Sequence, residues 1–310
     1  MSMETEIAAS LEGSHDDGSS RVIKDVLAGT CGGIAQVLSG QPFDTTKVRL
    51  QSAPEGKYTG ALDVVKKLMA NEGFSGFYKG TLTPLIGVGA CVSIQFGVNE
   101  FMKRMFTGRN IQAGMADTRL SSGQFYLSGA AAGIANGFLA SPIEHIRIRL
   151  QTQTSVPLLY NGPIDCIKKM YVGSGFAGIF RGLNPTLIRE GHGMGMYFLA
   201  FEASVKKDMS RNKIERKEIP GWRLCTYGAA AGYAMWFTCY PIDVIKSKLQ
   251  TDALSKTSQQ YSSAIDCAKK IYTTNGIRGF FRGFLPTILR AAPVNACTFY
   301  AFELAIRYMG

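Results

Sequence analysis

The chain has 310 residues, 46% of them hydrophobic and only 18% charged. Soluble domains carry roughly 25% charge, so an ordinary water-soluble fold is disfavoured. The net charge of +11 invites nucleic acid, but the bases sit at helix ends and in loops; the seven cysteines form no CxxC pair and mostly lie in apolar runs, which suits small buried side chains better than a disulfide frame or a metal site.

In chain order, residues 1–20 hold Glu4, Glu6, Glu12, Asp16 and Asp17 and no Lys or Arg. That is neither an Arg-rich transit peptide nor a signal peptide. It reads as a disordered acidic tail, so any targeting signal must be internal. Next come long stretches free of Asp, Glu, Lys and Arg, among them 26–43, 80–99, 120–143 and 224–242. Each is close to the ~20 residues that cross a bilayer. They are Gly-rich and partly polar, as expected of helices showing lipid one face and protein or water another. Lys57, Lys66, Lys67, Lys168, Lys169, Lys269 and Lys270 between them suit the membrane side that retains positive charge.

The chain repeats itself. The blocks "PFDTTKVRLQ" (42–51), "PIEHIRIRLQ" (142–151) and "PIDVIKSKLQ" (241–250) recur at spacings of 100 and 99 residues. A small-residue pair lies 13 positions before each proline: Gly29/Gly33, Gly129/Gly133 and Gly228/Gly232. GxxxG lets helix backbones approach closely. After each block come a tyrosine (58, 160, 261) and an amphipathic stretch, then "EGFSGFYKG", "SGFAGIFRG" or "NGIRGFFRG", then a second apolar run. Each unit predicts a long helix that its proline can kink, a short surface helix and a second long helix. Three units, 21–110, 119–211 and 218–310, give an all-α membrane protein with six spans and both termini on one side.

The thrice-repeated Pro-x-[Asp/Glu]-x-x-[Lys/Arg]-x-[Lys/Arg], followed by aromatic-[Lys/Arg]-Gly, resembles the mitochondrial carrier family over residues 21 to 310. The resemblance implies a three-fold pseudosymmetric six-helix barrel around a water-filled cavity in the inner mitochondrial membrane. It implies no enzyme and no cofactor, a monomer, a small-molecule substrate and structural cardiolipin.

Asp44, Glu144 and Asp243 each stand three residues before a base, Lys47, Arg147 and Lys246. Three acids and three bases at equivalent places can close a ring. The family pattern implies the interhelical pairs Asp44–Arg147, Glu144–Lys246 and Asp243–Lys47 as a matrix gate, braced by Gln51, Gln151 and Gln250. The bland alternative is pairing within each helix, worth only about 0.2–0.5 kcal/mol per pair. At the other end Glu100, Glu202 and Glu303 are equivalent, but only Glu100 keeps a base three residues on, Lys103. Asn99 replaces the expected aromatic there, and the later bases slip to Lys206 and Arg307. A weaker gate is expected on that cytoplasmic side, with surface acids at helix ends as the alternative.

Thirteen residues before those three acids stand Gly87, Arg189 and Arg290. An intramembrane charge defaults to a functional reading unless it pairs structurally. Family contact points fall on these positions, and Arg189–Glu190 resembles the carnitine, ornithine and amino-acid branch. A guanidinium forks a carboxylate while the neighbouring acid takes an ammonium. Gly87 and Val88 supply no further acid. Arg189 plus Arg290 minus Glu190 is net +1, which complements glutamate. A carnitine or acylcarnitine carrier and a transport-inactive adaptor remain as alternatives. His192 is either a helix-packing residue or a substrate or proton group. Gly60 and Gly162 at the surface-helix starts, with the turn glycines Gly80, Gly182 and Gly283, match the family's cardiolipin sites. "YSS" at 261–263 breaks the pattern in the third repeat.

Overall fold

A computed structural model describes residues 19–54, 56–114, 120–154, 158–253 and 258–309. Most of the acidic tail lies outside the described residues, as do the side chains of Val88 and Glu303. No strand occurs among the described residues. The elements are α1 (Ser19–Ser52), α2 (Ala61–Glu72), α3 (Leu82–Gln112), α4 (Ser122–Thr152), α5 (Pro163–Ile179), α6 (Leu183–Asn212), α7 (Gly221–Thr251), α8 (Ala264–Asn275) and α9 (Phe284–Met309). Each repeat is thus long helix, surface helix, long helix. Pro42, Pro142 and Pro241 lie inside α1, α4 and α7, which continue through them.

No single helix among the described residues is long and apolar enough to read as a membrane span by itself. The charge-free runs are rich in Gly, Ser, Thr, Asn and Gln, which keep the mean hydropathy low even where a window reaches no charge.

The surface helices start in the same way three times. Asp63 accepts from the Thr59 N–H at 3.1 Å and from Lys67 Nζ at 2.8 Å, and that ammonium also donates to the Lys57 carbonyl at 2.8 Å. Asp165 with Lys169, and Asp266 with Lys270, repeat the clip. The lysine hydrogen bond, then the backbone one, holds all three carboxyls below their usual range. The helices end at Gly73, Gly175 and Gly276, whose φ values of 67°, 62° and 60° are left-handed. Glycine takes that conformation without the Cβ clash. Gly175 therefore breaks α5 inside its range.

The described chain divides into two compact units. One holds Ala90–Leu139 and Leu187–Cys239. There the small residues of α4 lie on α6: a Cβ on Gly129 would meet the Met194 carbonyl at 2.6 Å, and one on Gly137 would meet Leu187 at 2.8 Å. An added Cβ on Gly232 would meet nothing within 4 Å. Tyr197, Phe201, Val205, Ile219 and Ala231 form this unit's core. The other unit runs through residue 89 and includes Ala140–Thr186 and the chain from Tyr240. In it α1 packs along α9, and Ile146, Leu150, Tyr160, Cys166 and Met170 make a second core. Three of the seven cysteines are buried and two are exposed, so the sequence expectation of mostly buried cysteines is too simple.

Candidate substrate and gate sites

Three ion pairs join α1, α4 and α7 in a ring. Arg147 Nη2 lies 2.7 Å from Asp44 Oδ2, and Lys47 Nζ lies 2.7 Å from Asp243 Oδ2. Lys246 pairs with Glu144. None is the within-helix pair that the acid-x-x-base spacing also allows. Their side chains range from 3% to 30% exposed, so several are within reach of water.

The glutamines below are buried but differ in what they do. Gln51 Nε2 donates to Asp243 at 3.1 Å and to the Tyr240 hydroxyl at 3.0 Å, so it braces one pair. Gln151 Nε2 donates to Thr45 Oγ1 instead, at 3.3 Å. Neither polar atom of the Gln250 side chain has a partner among the described residues. The expectation of three equivalent braces is corrected to one. The reason is sequence asymmetry: His145 and Val244 stand where Thr45 does, and Gln41 and the short Ser141 where Tyr240 does.

The turn glycines belong to this layer. Gly80, Gly182 and Gly283 have φ of 79°, 85° and 86°. An added Cβ would stand 3.0 Å from the Arg147 carbonyl, 2.9 Å from Gln250 Cγ and 3.1 Å from the Tyr240 hydroxyl, respectively. Backbone conformation and close approach both require glycine there.

A second polar layer was not singled out from the sequence. Glu72 takes Arg49 and, at 2.6 Å, Lys79. Burial pushes its carboxyl up, but those two hydrogen-bonded cations outweigh it and hold the carboxyl low. Ser174 and Asn275 stand at its place in the other repeats. Asp252 serves repeat two instead, 2.6 Å from Arg181. His145 is fully buried on α4, with Nδ1 2.9 Å from the Ile179 carbonyl and Nε2 2.9 Å from Arg149 Nε. Nε2 also lies 2.9 Å from the Gln250 carbonyl, so each ring nitrogen faces a backbone oxygen.

Among the substrate candidates, Arg189 and Glu190 form an ion pair on α6, with side chains 12% and 13% exposed. The Cys239 thiol on α7 donates to the Arg189 carbonyl at 3.7 Å. Asn136 on α4 reaches Glu190 Oε2 at 3.5 Å, and its buried Oδ1 has no hydrogen-bond partner among the described residues. Sequence reasoning missed Asn136; its signal is an amide within the charge-free run 120–143. Arg290 is engaged elsewhere, its Nε 3.1 Å from Asp44 Oδ1, and it fills the space over Gly40. Asp44 therefore holds two guanidiniums. A Cβ on Gly87 would meet Ile143 Cδ1 at 2.7 Å, so that position packs against α4. His192 Nδ1 is 2.9 Å from the Tyr126 hydroxyl on α4.

The mitochondrial carrier protein family matches residues 18–110, 118–212 and 217–310. The chain belongs to the mitochondrial carrier family. As a carrier it is a transporter and not an enzyme. It is 57% identical over 300 residues, 96% of this chain and 94% of the relative, to the mitochondrial glycine transporter YMC1 of Saccharomyces cerevisiae. It is 53% identical over 294 residues, 94% of this chain and 96% of the relative, to the glutamate/glycine mitochondrial carrier ymc1 of Schizosaccharomyces pombe. A mitochondrial basic amino acids transporter of Bos taurus is 37% identical over 287 residues, 92% of this chain and 91% of the relative.

Lys103 Nζ lies 3.0 Å from Glu100 within α3, and 5.8 Å from the ring centre of Phe198. Glu202 pairs with Arg216, in the turn between α6 and α7, at 3.1 Å. Neither pair links two long helices. At the surface-helix starts, Gly60 and Gly162 have open space within 4 Å of an added Cβ. Ser263 Oγ accepts from the Asp266 N–H at 3.1 Å, so repeat three caps its own helix.

Proposed function

We propose that this carrier moves a small zwitterionic amino acid, glycine or glutamate, across the inner mitochondrial membrane by opening two gates in turn. The observation that carries the reading is the shielded Arg189–Glu190 pair beside the unpartnered Asn136 Oδ1. A zwitterion can replace each partner of that pair with its own charge. Its carboxylate takes the guanidinium fork, its ammonium takes Glu190, and Asn136 Oδ1 accepts a further N–H. Burying these groups is offset only if each finds a partner. A primary ammonium satisfies Asn136; the quaternary nitrogen of carnitine has no hydrogen to give.

The head-group site serves glycine by itself. Glutamate needs a second cation, and the +1 sum of Arg189, Arg290 and Glu190 in the sequence complements that net −1 substrate. The relatives named for glycine and glutamate support the class and leave the choice within it open.

The ring of Asp44, Lys47, Glu144, Arg147, Asp243 and Lys246 acts as the matrix gate. Its partial exposure suits pairs that must break, because water compensates the separated charges. Glu100, Lys103, Glu202 and Glu303 serve the opposite gate. Both termini face the intermembrane space, and the carrier works as a monomer. Cardiolipin phosphates bind the open first turns after Gly60 and Gly162, where free N–H groups favour an anion. Gly80, Gly182 and Gly283 act there indirectly, by shaping the turns.

Purified carrier in liposomes, loaded with labelled glycine, glutamate, ornithine and carnitine in turn, tests the reading. Uptake of glycine or glutamate well above carnitine and ornithine is expected. Transport of carnitine alone, or of nothing by inserted protein, rejects it.

A further inference from the structure

The family pattern breaks at the end of α6. Glu202 follows Phe201, but three positions on stands Val205 where a base is expected. Val205 is 1% exposed and packs with Phe201, Ala231 and Ile219, with Ile214 at the edge of the cluster. An ammonium at 205 would be buried among hydrocarbon side chains without a partner. Ile214 and Ile219 flank a short 3-10 turn, Arg216–Glu218, and fix it against α6. The Glu215 N–H donates to Glu218 Oε2 at 2.7 Å and closes the turn. Arg216 then reaches back, with Nη1 3.1 Å and 3.2 Å from the two oxygens of Glu202. The carboxylate is 7% exposed and the arginine 50%.

We infer that Arg216 is the base missing from α6: a loop-borne counter-ion that holds Glu202 while the cytoplasmic end is open and releases it when that end closes. The inference rests on the two-gate reading above. Arg216 touches no substrate, so it is a positioning residue. A buried carboxylate without a cation is costly. Removing Arg216 therefore raises the open state, in which it supplies the charge, and spares the closed state, in which a neighbouring helix supplies it. Apparent affinity from the cytoplasmic face falls with the open fraction.

The test measures apparent KM from each face of carriers reconstituted in one orientation, using whichever amino acid is transported. Arg216→Gln should raise KM at the cytoplasmic face by about three- to tenfold and leave the matrix face unchanged or lower. The same substitution in a Glu202→Gln background should add nothing. If Arg216→Gln does not insert, Arg216→Lys should shift the cytoplasmic-face KM in the same direction by a smaller factor. Equal changes at both faces, a fall in rate alone, or an effect that persists in Glu202→Gln would make Arg216 a mere loop anchor and overturn the inference. An Asp44/Arg147 charge swap, assayed with glycine so that Arg290 does not intrude, tests the other gate and so separates failure here from failure of the two-gate reading.

Discussion

Asp44 is the most informative place to perturb the matrix gate, because it faces Arg147 at 2.7 Å and Arg290 at 3.1 Å. Asp44→Lys loses the charge-assisted hydrogen bond from Arg147, about 1.5–3 kcal/mol, and the ion pair with Arg290, whose Nε makes no hydrogen bond among the described residues. It also sets a cation against two guanidiniums. At ~4 Å and an effective dielectric near 20, each repulsion is about 4 kcal/mol, reduced where water reaches the group. These side chains are 19–27% exposed, so the repulsion is discounted and not abolished. The gate should fail and exchange should fall by roughly a hundredfold or more. Adding Arg147→Asp restores one attraction and leaves Arg290 opposing the introduced lysine, so rescue should reach only about a tenth of wild type. A third change, Arg290→Gln, removes that opposition and should raise the rate further. The assay is glycine exchange in liposomes at saturating substrate, where a role of Arg290 in glutamate affinity does not intrude. A double variant no better than Asp44→Lys, with all proteins inserted, would refute the pairing. A triple variant slower than the double would refute the part given to Arg290.

Arg189→Lys keeps the charge and loses the fork, so apparent affinity should drop roughly ten- to a hundredfold with normal insertion; a concentration series checks it. Asn136→Leu should weaken amino acids by about threefold to tenfold while sparing analogues without the ammonium, measured by competition. Protease added outside mitoplasts should cut the acidic tail and spare the Lys66/Lys67 stretch, and the reverse pattern would invert the topology. The surface-helix clips should survive across neutral pH. Their carboxyls are depressed, so the contribution is complete above the usual value of 3.8 and is lost as pH falls through the lowered one. Amide protection at Thr59, Asn161 and Ser262 should therefore persist at pH 5 and fade only below about pH 4.

The repeat made much of this legible in the sequence. The acid-x-x-base spacing recurs at matched offsets, so Asp44, Glu144 and Asp243 and their bases could be placed together without coordinates. The repeated aromatic-[Lys/Arg]-Gly marks Gly80, Gly182 and Gly283 as turns, and each has a positive φ. What the pattern hides is where the repeats differ. Gln250 looks equivalent to Gln51, yet Tyr240 and Asp243 give only Gln51 its partners. Arg290 reads as a cavity cation until a second contact to Asp44 appears. Asn136 and Arg216 carry no motif, and their significance depends on which side chains three-dimensional packing leaves unpaired or brings back to α6.

The most direct measurement of the zwitterion site is apparent affinity for glycine against a carboxylate analogue lacking the amine, in wild type and Glu190→Gln. Wild type should prefer glycine by at least about tenfold, a charge-assisted contact's worth. Glu190→Gln should erase most of that preference by weakening glycine and not the analogue. A preference unchanged in Glu190→Gln, with glycine still transported, would contradict the assignment of the substrate ammonium to Glu190.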